Sequence, residues 1–201
     1  MTEPSTSAAP ATPTPNGPVV APPAWGPLGL LWVRMQTIPA DTVAVTFAMA
    51  IAASIILPYL GAVGLYDPWE SHYAEVAREM VQRDDYVHPH WKEHYFFSKP
   101  VLLFWLSSIG FKILDVVTGG EVTRPGTPMP ELTELAARLP IALIGLLTIF
   151  CVYRVTRRFF SRTAAVIAVI CLSTTPFFAL VSRQHITDMP FVGLATAGIC
   201  L

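Results

Sequence analysis

Carboxylate, imidazole and ammonium groups concentrate in residues 65–100, between two strongly hydrophobic regions of the chain. Asp67 and Glu70 stand near the start of this stretch, Lys99 stands at its end, and four of the five histidines lie between them. A further acid, Asp188, lies in a short polar turn much later in the sequence. Carboxylates can activate a nucleophile and cations can hold a departing phosphate, so these residue types indicate group transfer.

The turn that contains Asp188 also contains a cation, Arg183. Ionisable groups so close to hydrophobic segments are costly and usually functional. We therefore predict Asp67, Glu70 and Asp188 as catalytic residues. Lys99 and Arg183 are predicted to bind phosphate. For Lys99 a second interpretation stays open, that of a lysine extending to ordinary lipid headgroups.

Three histidines in the same stretch have a spacing that can supply metal ligands. They are His88, His90 and His94, and no cysteine or fixed frame accompanies them. Surface histidines that make ordinary hydrogen bonds are the alternative. A divalent metal ion is the one cofactor that the sequence suggests.

The start of the stretch also has the pattern of a helix N-terminus. Asp67 fits an N-cap, Pro68 the first helical position, and Glu70 the third residue of a capping box. Asp67 is thus either a capping residue or a base, and the helix that follows is predicted to be amphipathic and interfacial. The aromatic side chains near its end form either an interfacial belt or a wall for a sugar or prenyl chain: Trp91, Tyr95, Phe96 and Phe97.

The composition is that of a membrane protein. Of 201 residues, 53% are hydrophobic and 13% charged, with a mean hydropathy of +0.51. The net charge of −1 argues against a nucleic-acid partner, since phosphate backbones attract clustered positive charge. All three cysteines lie in hydrophobic runs, which favours neither a disulfide framework nor a thiolate metal site.

The fold class predicted from these runs is an all-α polytopic membrane protein. Charge-free length predicts spans at about 42–66, 139–156, 163–182 and 189–201, the last one truncated. Between the first two spans, residues 67–138 form a loop, and its hydrophobic segment 101–117 is interrupted by charges and predicts an interfacial helix. Residues 1–40 are predicted to be a disordered Pro/Ala/Thr-rich tail with a candidate surface helix, and 41–201 the transmembrane domain.

Basic residues predict the orientation. The loop after the second span contains four arginines and no acid, which is typical of a cytoplasmic loop. This places the N-terminus in the cytoplasm and the loop 67–138 outside it. Between Asp67 and Glu134 lie 11 of the 14 acids and 6 of the 13 basic residues, in agreement with that orientation. Asp67 and Asp188 are therefore predicted to share the extracytoplasmic face.

Several separated motifs together resemble one family. They are, in order, YDPWESHYAEVAREM, FFSKP, AARLP, a basic loop and RxxxxDMP, within residues 65–190. This order resembles the membrane glycosyltransferases of the GT-C fold that use polyprenyl-phosphate sugars, such as the aminoarabinose transferases and the protein O-mannosyltransferases. The resemblance implies transfer of a sugar to a lipid, glycan or protein acceptor at the outer face of the plasma (inner) membrane. It also implies that Lys99 holds the phosphate and that Asp188 is the second-loop acid.

The chain departs from the family pattern at three positions. Trp69 stands where the family has its first-loop aspartate, His72 stands where it has an arginine, and Ser98 precedes Lys99 where relatives have glutamate. Either Asp67 replaces the missing carboxylate, or the chain is a noncatalytic lipid-binding or assembly protein on the same scaffold. Because family members have more spans, the 201 residues are expected to be an N-terminal part that is inactive alone.

Overall fold

The computed structural model describes residues 39–66, 68–122, 124 and 132–200. Nearly all of the predicted tail, and the predicted catalytic residue Asp67, lie outside this part of the chain. The tail and the catalytic role of Asp67 therefore stay predictions, whereas the helix predicted to have Asp67 as its N-cap and Pro68 as its first residue begins one residue later, at Trp69, with Pro68 as its N-cap.

The described residues form seven helices and one small hairpin. The helices are α1 (Ala40–Ile56), α2 (Trp69–Arg83), α3 (Leu102–Thr118), α4 (Thr133–Phe159), α5 (Arg162–Thr174), α6 (Pro176–Val181) and α7 (Asp188–Cys200). The hairpin pairs β1 (His90–Trp91) with β2 (His94–Tyr95) in antiparallel register. The predicted helical class is confirmed, whereas the two short strands were not predicted.

Helix α4 is the central element. Its 27 residues make it, within the described ranges, the one helix long and apolar enough to cross a membrane by length and composition. It contains the whole of the predicted span 139–156. Three other apolar helices, α1, α5 and α7, have 17, 13 and 13 residues. These lengths fall short of the roughly 20 residues that an untilted span needs.

Prolines explain where the observed helices differ from the predicted spans. The segment predicted at 163–182 is divided between α5 and α6, because Pro176 lacks an N–H group and excludes the preceding residue from helical geometry. Thr175 accordingly has an extended conformation, with ψ of 117°. Similarly, α1 ends at Ile56, two residues before Pro58, rather than continuing to residue 66.

Two groups of buried side chains meet on α4. One group joins α4 to α2 and α3 and includes Tyr73, Phe104 and Phe111. The other joins α4 to α1 and α5 and includes Ala48 and Val169. Helix α4 therefore joins the two halves of the bundle.

Helices α3 and α4 approach each other closely at Gly110. A Cβ atom at this position would lie 2.0 Å from the carbonyl oxygen of Ala136, a distance that no real contact tolerates. Glycine is thus required by the packing of the two helices rather than by a turn.

Helix α2 is amphipathic, as predicted. Its buried face includes Tyr73 and Ala77, while Arg78 pairs with Glu75 at 2.6 Å and Arg83 with Glu79 at 3.2 Å. The backbone N–H of a hairpin residue, Lys92, also donates to Glu79 at 2.7 Å, which fixes the hairpin against α2.

Candidate functional site

Glu70 lies at the centre of a buried hydrogen-bond network. Its side chain is 1% exposed and accepts two bonds from Arg138 of α4, one from Nε at 3.1 Å and one from Nη2 at 2.6 Å. It also accepts the backbone N–H of Tyr66 at 2.9 Å and the backbone N–H of His185. Two-pronged arginine–carboxylate contacts of this kind fix orientation as well as charge.

Arg138 uses its remaining donors on backbone carbonyls. The guanidinium donates to Leu60 at 2.9 Å, to Val63 at 2.6 Å and to Gly64 at 3.0 Å, in the segment that follows α1. An arginine at the head of the predicted span 139–156 would ordinarily extend toward the lipid headgroups. Arg138 is instead 4% exposed, because one carboxylate and three carbonyls replace the water that it loses.

The Glu70 carboxylate is held in its charged form. Burial raises the pKa of Glu70, but the hydrogen bonds from Arg138, Tyr66 and His185 outweigh burial and place that pKa below its usual 4.5. Each carboxylate oxygen already accepts two donors, which leaves little capacity for a further proton. The contacts of Glu70 are those of a group that fixes chain segments, and its predicted catalytic role stays a prediction.

The two segments that contain the predicted Asp67 and Asp188 both bind Glu70. Tyr66 is the residue before Asp67, and His185 stands three residues before Asp188. Asp188 is exposed at the first position of α7, and its carboxylate makes no hydrogen bond or ion pair within the described part of the chain. It is therefore accessible to a ligand.

His185 ties this network to α3. Its fully buried ring contacts the hydroxyl of Ser107 through Nε2, and Ser107 donates to the carbonyl of Leu103 at 3.0 Å. Burial lowers the pKa of His185 to about 4, so the ring is neutral at physiological pH.

The two predicted phosphate ligands differ in their contacts. Lys99 is half-buried, and its ammonium group pairs with no acid among the residues described, so it is open to an anion. Arg183 donates to the carbonyls of Ile55 at 2.8 Å and Pro58 at 2.6 Å. It therefore satisfies carbonyls at the C-terminal end of α1, and its predicted binding of phosphate stays a prediction.

The histidine run has other partners. His88 Nδ1 lies 3.1 Å from Asp85, the His90 ring centre lies 4.7 Å from that of Tyr95, and His94 is in β2. In the described ranges no group of three or more His, Cys, Asp or Glu side chains is placed to hold a metal ion. The metal role predicted for His88, His90 and His94 stays a prediction.

His72 stands where the family pattern has an arginine, and its ring packs against aromatic side chains. The His72 ring stacks on Trp91 with centres 4.0 Å apart and contacts Phe96 at 4.6 Å. Burial, together with the nearby Lys92 ammonium, lowers the pKa of His72. Trp69 is 61% exposed at the position of the family's aspartate, so its ring offers an apolar surface and no carboxylate.

The pairing of Glu70 with Arg138, and of His185 with Ser107, was not predicted from the sequence. One signal was present: an arginine at the head of an apolar segment requires a compensating acid. Nothing in the spacing of the residues could choose Glu70 among the 11 acids of the loop. No sequence pattern around Ser107 or His185 indicated that these two residues would be in contact.

Comparisons with known proteins agree with the predicted fold class. The family model for dolichyl-phosphate-mannose-protein mannosyltransferases matches residues 126–201. The crystal structure of ArnT from Cupriavidus metallidurans bound to undecaprenyl phosphate is similar with a TM-score of 0.65 and 27% identity, over 80% of this chain and 27% of that one. The chain is related to the GT-C membrane glycosyltransferases. The apo structure of the same ArnT gives a TM-score of 0.63 at 26% identity, over 81% of this chain and 27% of that chain.

Relatives identified by sequence support the same family. The undecaprenyl phosphate-alpha-4-amino-4-deoxy-L-arabinose arabinosyl transferase of Pectobacterium carotovorum is 39% identical over 64 residues, which are 32% of this chain and 12% of the transferase. An uncharacterized protein of Aquifex aeolicus is 26% identical over 158 residues, 77% of this chain and 28% of that protein. The chain thus spans between 12% and 28% of the length of these relatives and solved structures. The resemblance predicted from the motifs is confirmed.

Proposed function

We propose that this chain forms the first part of a glycosyl-transfer site. A sugar carried on a polyprenyl phosphate would be passed to a lipid, glycan or protein acceptor at the extracytoplasmic face of the plasma membrane. The observation that carries the proposal is the position of Glu70, which binds both the segment before Asp67 and the turn before Asp188. The ArnT structure that contains undecaprenyl phosphate supports the class of donor.

Each site residue then has a defined task. Asp67 and Asp188 would engage the acceptor's nucleophile, and Lys99 would stabilise the departing phosphate. Phosphate is a good leaving group, so no strong general acid is required. Glu70 accepts hydrogen bonds within the protein and Arg183 donates them. These two residues would therefore hold the segments in place. Whether a divalent metal assists is left as a prediction for His88, His90 and His94.

The proposed topology places α4 across the membrane. Arg138 and Arg157 are 19 residues apart, or roughly 28 Å along the helix. That length matches a hydrocarbon layer of about 30 Å. The Arg138 end would face outward and the Arg157 end the cytoplasm, with the predicted spans 42–66, 163–182 and 189–201 completing the bundle and α3 as an interfacial helix. The arginine-rich turn between α4 and α5 supports this orientation.

A second candidate function is a noncatalytic lipid-binding or assembly protein. The exposed Trp69 favours it, because the position of the family's aspartate carries an aromatic ring here. Such a protein would keep the phosphate-binding Lys99 and lose turnover.

Donor binding and sugar transfer by the full-length protein in nanodiscs separate the two functions. Lys99→Ala is expected to weaken undecaprenyl-phosphate binding about tenfold, because it removes a charge-assisted contact. Asp188→Asn should leave donor binding unchanged and slow transfer ~10²-fold. Lys92→Ala, a cation on the hairpin, is the matched control.

The outcomes discriminate clearly. Donor binding without any turnover in the parent protein would favour the noncatalytic function. Transfer at near-wild-type rates by both Lys99→Ala and Asp188→Asn would contradict the proposed site.

A further inference from the structure

A cavity lies at the Arg157 end of α4, away from Glu70. It has a volume of about 520 Å³ and lies between the start of α1, the last turns of α4 and the end of α7. Its lining includes Asp41, Tyr153, Arg154, Arg157 and Arg158. The volume lies within the range of typical small-molecule sites.

Positive charge exceeds negative charge around this cavity. Asp41 accepts two bonds from Arg157, each of 3.0 Å, and one of 2.7 Å from Arg162. Arg154 and Arg158 are exposed and pair with no acid in the described part of the chain. They are four residues apart on α4 and therefore share one face, where like charges repel each other unless an anion lies between them.

Tyr153 provides a second, independent observation. The residue is 3% exposed, and its hydroxyl has no hydrogen-bond partner within the described residues. An unpaired buried hydroxyl typically costs about 1–3 kcal/mol, so such groups usually bind water or a ligand. Tyr153 lines the same cavity as Arg154 and Arg158, and its phenolic O–H can donate to an oxyanion.

We propose that this cavity binds the phosphate group of an anionic phospholipid. Planar guanidinium groups match phosphate oxygens in pairs, and Tyr153 would supply a further donor. The cavity lies roughly one hydrocarbon thickness from Arg138 along α4, the depth at which headgroups occur. The site is separate from Lys99 and Asp188, and its test does not require sugar transfer.

Lipid titration of the purified, delipidated full-length protein in detergent tests the proposal. The probes are dioctanoyl phosphatidylglycerol, dioctanoyl phosphatidylcholine and inorganic phosphate, with dissociation constants from calorimetry. Wild type is expected to bind phosphatidylglycerol more tightly than phosphatidylcholine. The double variant Arg154→Gln/Arg158→Gln should bind phosphatidylglycerol about 30-fold more weakly, at about fivefold per arginine.

Two further variants make the test specific. Tyr153→Phe removes only the hydroxyl and is expected to weaken binding about fivefold. The control Arg83→Gln/Lys112→Gln removes the same charge from α2 and α3, outside the cavity lining, and should leave binding unchanged. Melting curves without lipid establish that each variant is folded.

Each result supports or overturns the proposal. Equal binding of the two lipids by wild type, unchanged affinity in Arg154→Gln/Arg158→Gln, or an equal loss in the control would overturn it. Displacement of phosphatidylglycerol by excess inorganic phosphate would support recognition of the phosphate group alone. A lack of displacement would support recognition of the whole lipid headgroup.

Discussion

Both ends of α4 carry arginines, but their positive charge is fully compensated by protein acceptors at only one end. Arg138 is 4% exposed and is fully paired with Glu70 and three carbonyls. The Arg157 side chain is 38% exposed and shares the half-exposed carboxylate of Asp41 with Arg162. At one end donors and acceptors balance, and at the other cations are in excess.

The difference separates structural charge from charge that can bind a ligand. A buried, balanced pair has no donor left for a ligand, so it can only fix the segments that it joins. Exposed, unbalanced cations contribute little to stability and remain free to bind anions. Like the exposed arginines at the Arg157 end, Lys99 and Asp188 have no ionic partner within the described residues and can bind a ligand. Glu70 and Arg183 instead hold chain segments in place.

The largest effect is expected from breaking the buried pair. Either Arg138→Leu or Glu70→Gln removes one partner and leaves the other uncompensated, which should lower the free energy of unfolding by about 3–5 kcal/mol. Chemical unfolding of the full-length protein in micelles measures this loss in the free energy of unfolding. Arg162→Gln, which removes one of the two arginines from the half-exposed Asp41, should cost about 0–1 kcal/mol. Equal losses in all three variants would show that burial of the pair is irrelevant.

A smaller loss is expected where α3 meets α4. Gly110→Ala puts a methyl group against the Ala136 carbonyl and should cost about 1–3 kcal/mol, because the helices must separate. Gly198→Ala in α7 is the control, since its Cβ would have no heavy atom within 4 Å. That change should be neutral or slightly stabilising. Equal melting temperatures for the two variants would contradict the close helix packing.

The third effect concerns pH. Because the pKa of His185 falls from its usual 6.5 to about 4 on folding, the unfolded chain binds more protons between these values. Stability from this group is present above pH 6.5 and is lost as the pH falls toward 4. His185→Gln keeps a polar atom near Ser107 and should flatten melting temperature against pH in this window. Parallel curves of melting temperature against pH for wild type and His185→Gln would refute this pH dependence.

The sequence predicted well what depends on local pattern. The amphipathic helix α2, and the span inside α4, follow from spacing and from charge-free length. The order of motifs identified the family. Pro176, whose effect on the helix is also local, was available in the sequence and was overlooked.

What depends on contacts distant in sequence could not be predicted. Glu70 and Arg138 are 68 residues apart, and Ser107 and His185 are 78 apart. No periodicity connects such positions, since their contact arises only from the packing of α2, α3 and α4. For the same reason Glu70 was assigned to catalysis by its residue type, while its contacts indicate that it positions neighbouring segments.

The most direct test of the proposed function is single-turnover sugar transfer by full-length Asp67→Asn. If Asp67 supplies the carboxylate that relatives have at the position of Trp69, transfer should slow ~10²-fold with donor binding unchanged. Trp69→Asp in the Asp67→Asn background should then recover part of the rate, and Trp69→Asn is its control. Transfer by Asp67→Asn at the wild-type rate would contradict the account.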